Sequence, residues 1–286
     1  KEKEVFEVVS SARLDRRKIH RSKVVLKAKL GFNNELLKFK ARFCACGYSQ
    51  REGIDYEEFY AATLRLDTLR IALSLAAKEG LYVSQADIET AFLYSRIDKE
   101  IYLDVSDKPL RALMNLQPGE VLKLNKAIYG LVQSPYLWSK KFRSPLERLG
   151  FKTLNEDPCC FVKNVGSKKI ILLLYVDDII CVSTDENMSL NLLNELKKEY
   201  RSTHSPLQFV LGAKITQNLE KGTITLSQEA YIDRIIDKFS EHLAGIDFQD
   251  VPVKGNVKFK DGDIRKGFVD ILDCPSDTRE KGHMAN

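Results

Sequence analysis

The sequence predicts an α+β fold, and three observations carry the prediction. Stretches of helical and strand periodicity are mixed, without the regular β-α-β alternation of a doubly wound sheet. The apolar runs are strand-sized: the longest, Ile170 to Val176, falls well short of the ~18 residues that a membrane span needs. The composition is globular, with 44% hydrophobic and 30% charged residues in 286 and a mean hydropathy of −0.26, which excludes disorder over most of the chain. The length allows one large domain or two small ones. No targeting segment is visible, and Lys at position 1 suggests a segment of a longer chain or a processed product.

The elements follow in chain order. Lys23 to Lys29 and Leu36 to Phe43 alternate basic and apolar residues around Gly31-Phe-Asn-Asn, which predicts two short strands with basic side chains on an open face. Asp67 is placed to cap a helix over Thr68 to Glu79, stopped by Gly80, with Leu69, Ala72, Leu73 and Ala76 as its buried stripe. Leu81 to Ile88 and Val121 to Leu124 read as strands. Ser134-Pro135 suits an N-cap followed by Pro at the first helical position, and Pro145 should kink or break the helix it opens. Trp138, the single Trp, belongs to that helix's core face. Asp157-Pro158 marks a turn before a strand at Cys159 to Lys163.

Lys169 to Val182 holds two apolar strands around Asp177-Asp178, a tight hairpin. Asn187 to Tyr200 is helical, with Leu190, Leu193, Leu196 and Tyr200 on one side. Gln208 to Ile215 and Thr223 to Leu226 suggest another hairpin, turning at Lys221-Gly222. Ser227 caps a helix through Leu243, stopped by Gly245. From Lys254 to Asn286 the periodicity dissolves into loop or tail.

Charge is unevenly spread. Residues 11–51 hold 12 Lys and Arg against two acids, a block of +10 inside a chain of net +5. Such a block fits a polyanion, most often nucleic acid, or equally a solvated basic face. The six cysteines (C-x-C, C-C and two singles) lack zinc spacing and suggest a reducing compartment without structural metal or disulfides.

Asp177 and Asp178 are the sharpest chemical feature. Adjacent acids at the tip of an apolar hairpin serve either as turn formers or as oxygen ligands for a divalent metal. Asp87 ends the strand Leu81 to Ile88. Beside that hairpin it would complete three carboxylates, a set suited to two-metal phosphoryl transfer. Glu89 reads as a solvated acid.

Tyr175-Val176-Asp177-Asp178 resembles the Y-x-D-D motif of reverse transcriptases. Lys40-Ala-Arg42-Phe, Gly47-Tyr-Ser-Gln50, Gly53-Ile-Asp-Tyr-Glu-Glu, Asp87-Ile-Glu-Thr-Ala-Phe-Leu, Glu100-Ile-Tyr, Lys123-Leu-Asn-Lys-Ala-Ile-Tyr-Gly-Leu-Val-Gln133 and Leu226-Ser-Gln-Glu-Ala-Tyr231 stand in the order and near the spacing of copia-type retrotransposon reverse transcriptases. The resemblance covers roughly residues 20 to 253.

That resemblance implies a right-hand polymerase with a mixed or antiparallel palm sheet packed on helices. Fingers would occupy residues 1–62 and 95–137, palm 63–94 and 138–215, the start of a thumb 216–253, and an irregular tail 254–286. Asp87, Asp177 and Asp178 would be the catalytic carboxylates for two Mg²⁺, with Mn²⁺ a substitute. Asp87 and Asp177 would be direct ligands and Asp178 a supporting one. Lys40 and Arg42 would hold the triphosphate of a dNTP, Phe92 would exclude ribonucleotides, and Gln133 would lie near the sugar and phosphates. Core packing is the plain alternative for Phe92, a surface amide for Gln133 and a solvated strand face for Lys40 and Arg42. Tyr175 and Val176 would floor the primer end.

The implied partners are an RNA template, a DNA primer/template duplex, dNTPs and other parts of a Gag-Pol polyprotein, with no membrane. The implied location is a cytoplasmic virus-like particle, with the DNA product delivered to the nucleus. Nothing in the sequence sets an oligomeric state. Four departures stand out: Cys46 where the family carries a second basic residue, Phe59 to Arg65 without Phe-x-Pro-Val, Pro145 within a family helix, and no block leading to ribonuclease H. They leave a second reading, a decayed or repurposed element that binds nucleic acid without polymerising. Phe92, and Tyr-Val before the acids, disfavour an RNA-templated RNA polymerase.

Overall fold

The computed structural model describes residues 4–30 and 36–239. The chain divides into two compact units, Lys1–Tyr231 and Ile232–Asn286; of the second, the described part is the end of one helix. In chain order come β1 (Phe6–Ser10), β2 (Ile19–Leu30), β3 (Leu36–Ala45), α1 (Leu66–Glu79), β4 (Tyr82–Ile88), β5 (Tyr102–Asp104), α2 (Lys108–Leu113), β6 (Glu120–Leu124) and α3 (Ser134–Arg148). Then follow β7 (Lys152–Thr153), β8 (Cys160–Val165), β9 (Lys168–Tyr175), β10 (Asp178–Ser183), α4 (Glu186–Lys197), β11 (Ser202–Pro206), β12 (Phe209–Val210), β13 (Ala213–Asn218), β14 (Thr223–Ser227) and α5 (Glu229–Lys238). Helices and strands are mixed in an α+β arrangement, as the sequence predicts.

Three sheets form. A five-stranded sheet runs β1-β6-β5-β2-β3, a six-stranded sheet runs β11-β4-β10-β9-β8-β7, and β12-β13-β14 make a small third. The six-stranded sheet is apolar on both faces, which explains the unbroken run at Ile170 to Val176. Leu172, Leu174, Ile179 and Cys181 pack with Trp138 and Phe142 of α3 and with Leu193 and Leu196 of α4. The alternate residues Ile171, Leu173, Ile180 and Val182 pack on the Leu69, Ala72, Leu73 and Ala76 stripe of α1. A separate core, including Ile101, Leu103 and Leu122, supports the five-stranded sheet.

Several expectations are corrected. Helix α1 begins two residues earlier than expected, capped at Arg65, whose backbone N–H donates to the buried Asp157 carboxylate at 3.0 Å; Asp67 sits in the first turn instead. Gly80 does end the helix, at φ 65. Ser134 lies one position inside α3, its hydroxyl donating to Ile128 O at 2.6 Å. Pro145 neither breaks nor ends α3. Its missing N–H leaves Lys141 O without the usual helical donor, and the Tyr200 hydroxyl lies 3.4 Å from that oxygen.

Helix α4 buries Leu192 along with Leu193 and Leu196, while Leu190 is half-buried. Strands β1 and β11, on the edges of their sheets, were not anticipated. Ser227 ends β14, one position before the cap of α5, and its Oγ accepts from Glu229 N at 3.2 Å. The expected end of that helix at Leu243 and Gly245, and the tail 254–286, lie outside the described residues. Cys44, Cys46, Cys159, Cys160 and Cys181 are buried free thiols, and burial pushes the Cys181 thiol up to about 12.

Candidate active site

The turn between β9 and β10 has two residues, Val176 and Asp177, since Tyr175 pairs with Asp178. Val176 adopts φ 58, a conformation that a β-branched side chain rarely takes and that costs about 1–3 kcal/mol. Two straps hold it. The Trp138 indole donates Nε1–H to Val176 O at 2.5 Å, and Ile88 N donates to Asp177 O at 2.9 Å. Strand β10 lies antiparallel to β4 with Asp178 directly opposite Asp87. Register and turn together gather the three expected carboxylates at one end of the six-stranded sheet.

A cavity of about 690 Å³ opens there. Its lining includes Asp87 and Asp177 at the end of the six-stranded sheet together with Lys38, Lys40 and Arg42 of β3. Asp178 pairs with Asp87 but is not part of the lining. The basic side follows from strand period. Lys27 pairs with Lys40, and Val25 with Arg42, so these residues share one face of the hairpin while Leu26, Ala28, Phe39 and Ala41 fall on the other.

Tyr129 completes the cavity. The Arg42 guanidinium carbon lies 5.5 Å from its ring centroid, within cation–π range. Burial pushes the Tyr129 phenol above its ordinary value. The nearby Asp177 and Asp87 carboxylates add to this, and Arg42 opposes it. The backbone around Tyr129 is clamped: Ala45 N donates to Tyr129 O at 2.8 Å. Gly130, at φ 92, approaches so closely that a Cβ would stand 2.1 Å from Ala45 O.

The remaining expected residues lie elsewhere. Phe92 is 7% exposed and outside this cavity, its ring edge-on to Tyr129 at 4.7 Å between centroids. It lines a smaller, mainly apolar cavity with Trp138, Leu174 and Val176, behind the hairpin. Tyr175 is half-buried against the α1 side of the sheet.

Gln133 is fully buried and does not line the larger cavity. Its amide nitrogen donates to Asp55 O at 2.9 Å, and its oxygen accepts from Gln50 Nε2 at 2.9 Å. Gln50 Oε1 accepts in turn from Val132 N at 2.8 Å. This network ties residues 50–55 to the start of α3. Glu89, expected as a solvated acid, is exposed on the cavity rim.

Sequence reasoning missed Tyr129, although it quoted the Ala-Ile-Tyr-Gly string that holds it. The signal the string offers is an aromatic directly before a glycine. It also missed Lys38 and Thr203, which line the cavity.

Among the described residues, no three His, Cys, Asp or Glu side chains cluster closely enough to enclose a metal. The donor set nevertheless suits Mg²⁺, which is held through one or two carboxylates together with substrate phosphates rather than by an all-protein cage. Asp87 and Asp177, in a cavity also lined by Lys38, Lys40 and Arg42, meet that requirement.

A family model described as reverse transcriptase (RNA-dependent DNA polymerase) matches residues 3–254, and the chain belongs to that family. It is 34% identical over 265 residues to the retrovirus-related Pol polyprotein from transposon TNT 1-94 of Nicotiana tabacum, covering 92% of this chain and 19% of that protein. Over 205 residues it is 32% identical to the Pol polyprotein from transposon RE1 of Arabidopsis thaliana, covering 71% of this chain and 14% of that one. It is 30% identical over 213 residues to the transposon Ty1-NL2 Gag-Pol polyprotein of Saccharomyces cerevisiae, covering 71% and 12%.

These relatives place the chain as a copia-type reverse transcriptase domain, spanning at most 19% of their length. It is also similar to the foamy viral protease-reverse transcriptase in complex with ds DNA, at a TM-score of 0.40 and 14% identity, covering 85% of this chain and 34% of that one. Among the described residues, no helix is long and apolar enough to cross a membrane.

Proposed function

We propose that this chain copies an RNA template into DNA, joining deoxynucleotides from dNTPs to a primer 3′-hydroxyl. The observation that supports this most directly is the single cavity lined by the carboxylates Asp87 and Asp177 and the cations Lys38, Lys40 and Arg42. Lys40 and Arg42 bind the triphosphate, Arg42 by a planar fork matched to phosphate oxygens. Lys38 adds positive charge at the same edge. Asp87 and Asp177 hold Mg²⁺, or Mn²⁺ in its place, and Asp178 supports Asp87 from the opposing strand. When bound, two such ions supply the Lewis acidity that activates a primer hydroxyl and steadies a departing pyrophosphate.

The chain's own residues do the positioning. Trp138 and Ile88 hold the turn that presents Asp177, and Tyr175 and Val176 support the primer end. Gln133 acts from inside the wall, fixing residues 50–55. Phe92 belongs to the sugar-selecting side. The five-stranded sheet and its basic hairpin serve as fingers, the six-stranded sheet as palm, and the segment from 216 as the start of the thumb. Template and primer duplex lie along the basic hairpin face. Other parts of a Gag-Pol polyprotein are the natural companions, in a cytoplasmic particle whose DNA product goes to the nucleus.

Primer extension on poly(rA)/oligo(dT) with dTTP and Mg²⁺ tests this reading. The intact chain should extend, and Asp177→Asn should lower the rate by at least about a hundredfold while keeping salt-sensitive template binding. Binding without extension by the intact chain would favour the non-catalytic nucleic-acid-binding reading. Extension that survives Asp177→Asn would refute the site assignment.

A further inference from the structure

We propose that the cavity holds a second, apolar subsite besides its cations, and that the ligand suited to the whole is an anion carrying a flat apolar group, such as an aryl-substituted bisphosphonate. The proposal rests on the reading of Lys40 and Arg42 as phosphate binders. It starts from lining residues for which a triphosphate has no use: Val5, Phe6, Phe43, Leu93 and Ile128.

These side chains form a group. Ile128 belongs to the core of the five-stranded sheet, and Val5, Phe6, Phe43 and Leu93 pack against that same core. Backbone bonds draw them together from separate parts of the chain. Asn125 N and Lys126 N both donate to Val5 O, at 2.9 and 3.2 Å, which ties the residue before β1 to the segment that carries Ile128. Ala45 N donates to Tyr129 O at 2.8 Å, which ties the end of β3, just beyond Phe43, to the same segment.

Val5, Phe6, Phe43 and Leu93 are half-buried, so apolar surface is left open in a cavity that also holds fixed charges. A triphosphate is charged along its length and gains nothing against such surface. An aryl group would take it out of water, which is favourable in proportion to the area covered. Apolar side chains joined by a few charged groups that fix orientation are the make-up of a small-molecule site. The volume of about 690 Å³ lies within the ~300–1,000 Å³ usual for one. Lys38, Lys40 and Arg42 hold the anionic head, and the aryl tail covers Phe6 and Leu93.

Calorimetric titration of the full chain with Mg²⁺ present compares methylenebisphosphonate with a phenylpropyl-substituted bisphosphonate. The substituted compound should bind about ten- to a hundredfold tighter, and both should displace dTTP. Its phenyl ring should shift the methyl resonances of Val5, Leu93 and Ile128, which the unsubstituted compound should leave in place. Phe6→Ser should remove most of the gain and change methylenebisphosphonate affinity by no more than about twofold, because it touches only the apolar part. Arg42→Gln should weaken both compounds alike. If Phe6→Ser does not fold, Leu93→Ala carries the same expectation.

Equal affinity for the two compounds, binding of neither, methyl shifts elsewhere in the chain, or a gain that survives both Phe6→Ser and Leu93→Ala would overturn the apolar subsite. Primer extension judges the polymerase reading separately. A chain that extends primers yet binds the two compounds equally keeps that reading and loses the subsite. A chain that shows the gain and the methyl shifts yet extends no primer keeps the subsite and loses the polymerase reading.

Discussion

His20 is 2% exposed, and its neighbour Asp55 is 1% exposed. The imidazole Nδ1 lies 2.8 Å from Ser49 Oγ, and Nε2 lies 3.7 Å from Asp55 Oδ1. Burial pushes the His20 imidazole below its ordinary value; Asp55 pulls it upward and Arg51 adds to the lowering. For Asp55, burial acts upward, but hydrogen bonds and charge from Arg51, helped by His20, hold the carboxyl below its usual range. The folded protein thus keeps His20 neutral where the unfolded chain, at about 6.5, begins to take up a proton. Above that pH both states are neutral and His20 contributes no pH dependence. Below it the unfolded state binds the extra proton, so stability falls with pH until the folded value is reached, by up to about 1.4 kcal/mol per unit. Urea melts at pH 7.5 and 5.5 should show this loss, and His20→Gln should flatten it. Equal slopes in the two proteins would remove His20 as the cause. Nothing local in the sequence announces this cluster, since Asp55 stands 35 positions from His20 and only the sheet brings them together. Gln133 teaches the same point: the motif placed it near the nucleotide, yet its polar atoms are satisfied inside the wall.

The β9–β10 hairpin was legible because local rules agree there: two apolar strands, two acids and a turn too short for anything else. The α1 stripe was legible for a similar reason, helical period and a glycine stop coinciding. Where a distant partner decides the outcome, the sequence misled. Pro145 should have broken α3, but Tyr200 offers a hydroxyl to the carbonyl it deprives. Asp67 should have capped α1, but Asp157, 92 positions from Arg65, accepts from the cap residue instead. The Trp138 bond to Val176 O belongs to this class and matters most for chemistry, because it restrains the turn that carries Asp177. Trp138→Phe keeps an aromatic in the core and removes the N–H. It should cost about 0.5–1.5 kcal/mol and lower primer extension about ten- to a hundredfold through misplacement of Asp177, with template affinity unchanged. Amide exchange at Ile88, whose N–H bonds to Asp177 O, should quicken relative to the middle of β4. Unchanged exchange together with full extension would mean the indole bond holds nothing.

The cavity wall that carries Tyr129 is joined to the end of β3 by backbone contact. A Cβ at Gly47 would stand 2.1 Å from Gly130 O, and one at Gly130 would stand 2.1 Å from Ala45 O. Neither carbonyl can swing aside as a side chain could, so the segment bearing Tyr129 and the end of β3 are locked at a fixed separation. That lock fixes Tyr129 beside Arg42, which stands three residues before Ala45 on β3. Gly130→Ala should therefore act twice, through the positive φ of 92 and through the clash. Gly119 separates the two effects: it has φ 82, but nothing lies within 4 Å of a Cβ built on it. Gly119→Ala should cost about 1–2 kcal/mol for its backbone conformation alone, whereas Gly130→Ala should cost about 3 kcal/mol or more. Gly130→Ala should also weaken triphosphate binding while the far-ultraviolet dichroism persists, because it shifts the Tyr129 segment against Arg42 and leaves the strand pairings in place. Chemical melts of the two variants and calorimetric titration with dTTP provide the comparison. Equal losses of stability, with dTTP affinity intact in Gly130→Ala, would mean that the Tyr129 segment is held beside β3 by side-chain packing rather than by this backbone contact.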